Sequence, residues 1–261
     1  MSKIDDIINL VKESPQVLSM VYKDLAQPGV RKVGWALETV LEFSTQILLP
    51  LKLLNEKFKL NFTKNINQYK AKLEEVDDTK ILNVNPQIGI PIIEKLSYVT
   101  NEEIADLFTT LLCKASNTDT LDQAHPGFVQ LIERLSVDEA RIIKYLSGAD
   151  YVPLVSINAH LKDSSGFHIV RKNATLLQFE VDLIFPQNID IYLDNLTSLG
   201  ILNNSHGMHK TDEVLYEPLT IKYDLKALDV EYKSRGYERA DFEKGYFQIT
   251  NYGKQFIKAV N

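Results

Sequence analysis

Cysteine is almost missing from this chain of 261 residues: Cys113 is the sole thiol, so no internal disulfide can staple the fold. That usage, and a start (MSKIDDII) without the apolar core of a secretory signal, set the expectation of a reducing, cytoplasmic setting. Basic charge is not in excess either. Lys+Arg number 29 against 35 Asp+Glu, a net of −6, so no global positive field draws the chain onto nucleic acid. Glycine is sparse, at 11 residues, and scattered, with no phosphate loop, dinucleotide fingerprint or glycine-flanked serine elbow. What is abundant is ordinary: 44% hydrophobic and 25% charged residues make a globular chain, long enough for two domains, and exclude a disordered or collagenous one.

One stretch approaches a membrane span in length. Gly34 to Leu54 reads GWALETVLEFSTQILLPLKLL, close to the roughly 20 residues a span requires. It carries Glu38, Glu42 and Lys52, however, and Pro50 interrupts it. Carboxylates at mid-bilayer depth cost a few kcal/mol each on insertion scales, which disfavours a plain span. Val33, Leu37, Val40, Leu41, Ser44, Ile47 and Leu48 recur at three- and four-residue steps, the stripe of an amphipathic core helix. The alternative is a surface for lipid or a partner. Its support lies immediately downstream, where Lys52, Lys57, Lys59, Lys64, Lys70 and Lys72 stand against only Glu56, a local charge of +5, with Phe58 among the interleaved apolar residues. A basic amphipathic helix beside an apolar one can meet anionic headgroups or phosphates. Such a surface would take Trp35 and Phe58 with those six lysines; the plainer reading is a solvated lysine face.

The expected fold class is mainly α, with a helical domain over 1–135 and a winged-helix-like α+β domain over 136–261. In the first half a long helix covers 30–49, a basic helix 52–75 and a connector 76–91, where two prolines and a glycine fall in VDDTKILNVNPQIGIP; Pro91 then suits the first turn of a helix. Shorter helices are expected at 3–11 and 16–26. Thr100 and Glu103 have capping-box spacing before the stripe Ile104, Leu107, Phe108, Leu111, Leu112, and Ser136 and Glu139 repeat it. Beyond Asp150 the texture turns β-like. YVPLVSI and FHIV read as strands, a helix ends at Gly200, and Leu-Gly-Ile-Leu delivers it into an extended segment. Leu215–Tyr223 and Gly245–Ile249 alternate as strands around the charged stretch Lys226–Glu243, and Thr250 caps a final helix. That order is the pattern of a winged helix.

Chemistry is harder to find. A DNA-reading helix would offer basic residues, yet the one ending at Gly200 offers Gln187, Asn188, Asp190, Asp194 and Asn195, and residues 136–261 carry a net of −3. Duplex DNA is therefore an unfavoured partner, and the domain is expected to meet protein or to hold a homo-oligomer. A nucleic-acid reading would have to use the 52–72 lysines with Lys233, Arg235 and Arg239. His206 and His209 lie three apart in a loop with Asp212 and Glu213 near, too few ligands in too loose a setting for zinc. His125 precedes a helix-starting proline, His160 and His168 have no acid at a telling spacing, and Cys113 sits on an amphipathic helix where cysteine is usually a small apolar filler. No enzyme, cofactor or metal is expected from these residues.

Four segments carry a resemblance. Tyr22–Phe62, with leucine-proline-leucine and Leu54-Asn55-Glu56-Lys57, is the first; the connector after it, Pro86–Thr120 with Lys114-Ala115-Ser116, and Ala124–Leu146 with His125-Pro126 before Phe128 are the others. Together they resemble the abortive-infection alpha family of bacteria. The resemblance implies phage defence, in which an infected cell stops growing or dies before phage matures, and it brings no catalytic residues to carry over. The expected mode is a non-enzymatic sensor–effector working through protein contacts and peripheral contact with the inner membrane.

Overall fold

Caps decide where the helices of the first half begin. In the computed structural model, which describes residues 31–40, 55–205 and 207–261, the chain divides into two compact units, Met1–Ala140 with Lys258–Asn261, and Arg141–Ile257. The helices expected at 3–11 and 16–26 lie outside the described residues, as do Lys52, His206 and the long helix beyond residue 40. Its described start is helix α1, Arg31–Ala36.

Helix α2, Glu56–Glu74, starts because the Asn55 side chain accepts the Lys57 amide at 3.0 Å, satisfying one of the orphan donors of the first turn. Phe62, Ile66, Tyr69 and Leu73 are buried along it, a stripe at three- and four-residue steps. Asn65 joins that stripe although it is polar, since its amide donates to the carbonyls of Leu96 and Val99, both at 2.9 Å. The connector is shorter than expected. Helix α3 runs Pro86–Leu96, capped by Asn85, with Pro86 in its first turn. Pro91 is thus inside the helix and not at its start, because the asparagine-proline pair at 85–86 already provides a cap and a preset φ.

Helix α4, Glu102–Ala115, is capped by Asn101, whose side chain accepts the Ile104 amide at 3.1 Å, so the asparagine displaces Thr100 from the expected box. Helix α5 covers Pro126–Glu133 and α6 covers Val137–Tyr145. At α6 the expected box forms: the Ser136 amide donates to Glu139 Oε2 (2.6 Å) and the Glu139 amide to Ser136 Oγ (3.3 Å). Helices α2, α3, α4 and α5 pack on one another around Phe108, Leu111, Leu112, Ile92 and Ile93. Each such side chain contributes about 1.5–3 kcal/mol of burial. A Cβ on Gly89 of α3 would stand 2.3 Å from Val40 Cγ2, so only glycine lets the α1 segment come so close.

The second unit is built on one antiparallel sheet. Strands β1 (Tyr151–His160), β2 (Phe167–Ala174), β3 (Leu202–Asn204) and β4 (Arg239–Ile249) lie in the order β2-β1-β4-β3. Strands β1 and β4 pair without a break from Tyr151↔Gln248 to His160↔Arg239. The register of β1 on β2 slips twice between Val155 and Asn158, so the edge strand β2 is bulged, a common guard against edge-to-edge pairing. Alternation sends Val152 and Phe247 to one face. The other face buries Val155, Ala174, Tyr216 and Leu219 with Phe242 packed against them. Between β2 and β3 lie α7 (Leu177–Glu180) and α8 (Ile189–Ser198).

Residues 215–223 are not a strand. They form a 3-10 turn, Glu213–Leu215, and helix α9, Glu217–Lys222. Pro218 fits a first helical turn but would break a ladder, and burial of Leu219 with Tyr216 holds the helix. The charged stretch likewise becomes helix α10, Leu225–Ser234, with no buried residue, and its end belongs to β4. The Asp224 side chain caps α10 by accepting the Ala227 amide at 3.1 Å, and Asp229 Oδ1 accepts the Ala240 amide at 2.9 Å. Helix α11, Asn251–Val260, closes the chain.

Candidate functional site

At 3.6 residues per turn the lysines of α2 fall on both sides of its buried stripe. Lys57, Lys64 and Lys72 lie on one flank and Lys59 and Lys70 on the other. Lys64 pairs with Glu102 at 2.5 Å, Lys72 with Asp106 at 2.7 Å and Lys70 with Glu74 at 3.8 Å. Among the described residues Lys57 and Lys59 make no ion pair. Phe58 is half-buried and Trp35 is 50% exposed. The surface therefore separates into neutralised lysines toward the end of the helix and open ones at its start, and the apolar residues between them, Phe62, Ile66 and Tyr69, face inward.

The cations at 233, 235 and 239 are matched as well. Lys233 pairs with Asp229 at 2.7 Å, Arg235 with Glu231 at 2.5 Å and Arg239 with Asp241 at 3.5 Å. Helix α8 exposes Asp190, Ile191 and Asp194; its two aspartates border a polar cleft of about 300 Å3 with Arg171 and Lys172 of β2 across it. Arg171 also lies over the Tyr223 ring at 5.1 Å.

Histidine and cysteine carry less. Among the described residues no group of three His, Cys, Asp or Glu could hold a metal. His125 Nδ1 accepts the Gly127 amide at 3.0 Å and so caps α5. Burial pushes the Cys113 thiol up from its ordinary value, with Lys72 and Lys114 only partly offsetting it, the opposite of an activated nucleophile. His160, for which the sequence offers no acid at a telling spacing, does have a partner in space. Its Nε2 stands 2.8 Å from Asp241, with Arg239 beside both. Pairing of β1 with β4 brings these groups together across 81 positions, beyond the reach of any local spacing.

Among the described residues, several that carry the family resemblance hold structure. Asn55 caps α2 and His125 caps α5. Lys114 Nζ donates to the Lys258 carbonyl at 2.5 Å, and partial burial lowers its pKa. Ser116 Oγ meets Tyr69 Oη at 2.6 Å and donates to the Leu112 carbonyl at 2.7 Å.

Against known proteins, the family model described as abortive infection alpha matches residues 55–260. No curated protein matches the chain. A solved structure of an uncharacterised protein from the hydrocarbon-degrading marine bacterium Alcanivorax borkumensis SK2 is similar at 16% identity with a TM-score of 0.34, over 51% of this chain and 91% of that one.

Proposed function

Because this chain belongs to the abortive infection alpha family, we propose that it is a phage-defence protein that acts without catalysis, through protein contacts. The family match over residues 55–260 carries this reading. Three features of the fold support the mode of action. The strand order β1-β4-β3, with α8 running through Gly200 into β3, supports reading this half as a winged-helix-like domain with an added edge strand and with α9 and α10 in place of a simple wing. Its would-be reading helix presents carboxylates, which repel phosphates. The cations at 233, 235 and 239, on which a nucleic-acid reading would draw, already face acids. A protein of phage or host, or a second copy of the chain, is thus the partner of the C-terminal half.

The helical half delivers the effect. Peripheral contact with an anionic membrane would draw on Trp35, Phe58 and the lysine group, chiefly Lys57 and Lys59, which make no ion pair among the described residues. No helix among the described residues is long and apolar enough to cross a membrane, and a peripheral contact needs none.

The test is expression in a phage-sensitive bacterium, with plaque formation and culture survival read at low and high phage dose. Protection at low dose with collapse at high dose is expected. No protection across a broad phage panel overturns the reading.

A further inference from the structure

Within the Arg141–Ile257 unit a cleft of about 260 Å3 opens where the end of α6, the start of β1 and the short α7 meet. Its wall is aliphatic. Leu146, Leu177 and Leu219 line it and are buried, and Leu219 continues into the cluster under the sheet. Tyr145 and Glu180 are exposed at its mouth, and the half-buried Tyr151 lines it as well. Tyr145 Oη donates to Glu180 Oε2 at 2.6 Å, and this bond to a carboxylate holds the phenol protonated, its pKa pushed up to about 12. The nearby cations are engaged elsewhere: Arg141 is beside Asp182, and Lys222 lies over the Phe179 ring at 4.1 Å. Lys210 lies over the Tyr151 ring at 4.6 Å and the Tyr246 ring at 4.2 Å, so the Glu180 carboxylate is the charged group that lines the cleft, above a largely aliphatic floor.

We propose that this cleft is a binding site for a small amine with an apolar body, its ammonium on Glu180 and Tyr145 and its body among Leu146, Leu177 and Leu219. The chemistry selects on both ends. A carboxylate ligand would meet Glu180 with like charge, and a polar body would forfeit its hydration on the aliphatic wall. The volume lies just under the roughly 300–1,000 Å3 of sites for drug-sized ligands, so a single ring or a short branched chain suits it. Charge-assisted hydrogen bonds from an ammonium are about twice as strong as neutral ones, which makes Glu180 the group that sets specificity. This site is independent of the phage-defence reading and goes beyond it.

The experiment titrates the full chain with 2-phenylethylamine and, separately, with phenylacetate, reading leucine methyl resonances by NMR. The amine is expected to shift Leu146, Leu177 and Leu219 saturably, and phenylacetate to bind at least about tenfold more weakly, a difference of about 1.4 kcal/mol. Glu180→Gln keeps the shape and should erase the preference for the amine. Ala149→Phe, at a half-buried turn position lining the cleft, should abolish binding by filling the space while the remaining spectrum stays folded. No saturable shift with the amine, equal binding of amine and acid, or an unchanged amine affinity in Glu180→Gln would each overturn the assignment.

Discussion

Replacing Gly253 by alanine sets two effects of opposite sign against each other. Gly253 is the third residue of α11, and on helix propensity alone alanine there should stabilise by about 1 kcal/mol. The tertiary structure reverses that. A Cβ at position 253 would stand 2.3 Å from the Ile201 carbonyl oxygen and 3.0 Å from its carbonyl carbon, whereas carbon and oxygen normally approach no closer than about 3.3 Å. These are backbone atoms, so the start of α11 and the turn into β3 must separate by about 1 Å. The hydrogen bonds that join them are then stretched: the Thr250 amide to the Ile201 carbonyl at 3.0 Å, and Thr250 Oγ1 to the Gly200 carbonyl at 2.6 Å. Each is worth about 0.5–1.5 kcal/mol net, and overpacking adds about 1–3 kcal/mol. After the propensity gain is subtracted, Gly253→Ala should destabilise the C-terminal unit by about 1–5 kcal/mol. Hydrogen exchange at the β3 and β4 amides measures this directly, without assuming that the two units unfold together. Protection equal to or above that of the parent chain would show that helix propensity governs this position and that the close approach does not.

Other outcomes rest on the same kinds of contact. Ser136→Ala removes the acceptor of the Glu139 amide and should cost about 1 kcal/mol, read as lost protection at the start of α6. Burial raises the pKa of Tyr69 above its ordinary value near 10. The folded state therefore holds this proton more tightly than the unfolded one, so its contribution to stability is complete below about pH 10 and falls as pH rises further. Alkaline denaturation curves should show this, and in Tyr69→Phe the decline above pH 10 should be shallower; an identical slope would contradict it. If the helical unit meets anionic membranes, the double change Lys57→Glu, Lys59→Glu should weaken sedimentation with phosphatidylserine-containing vesicles well beyond the double change Lys64→Ala, Lys72→Ala, because the latter pair is already engaged with acids. Equal losses would mean that the ion pairs do not govern access to the surface.

Helix α2 shows how far local pattern reaches. Its apolar stripe and its lysine content read directly from consecutive residues, whereas the cap at Asn55 falls inside the span 52–75 that the pattern suggests. That the lysines lie on two flanks comes from the helical period, but that Lys64 and Lys72 face Glu102 and Asp106 depends on α4 packing alongside. Where two local signals competed, the stronger cap decided: Asn101 over Thr100, and Asn85-Pro86 over Pro91. Segment 215–223 misled because alternation over a few residues fits a strand and a short amphipathic helix alike; only the bulk waiting above Val155 and Phe242 resolved it.

From the amino acids alone came the mainly helical character, the change of texture near residue 150, the Ser136–Glu139 box, the turn at Gly200 and the family itself. All of these are encoded in periodicity, in capping spacings of three residues, or in a string of such signals. Tertiary structure alone decided what meets at a distance: His160 with Asp241, Tyr145 with Glu180 beside an aliphatic cleft, and the approach of Ile201 that makes Gly253 obligatory. The reason is physical. Caps and stripes arise from interactions within one helical turn, whereas a site is assembled by strand pairing and packing that join residues 35 to 81 positions apart, and no local spacing records which partner will arrive.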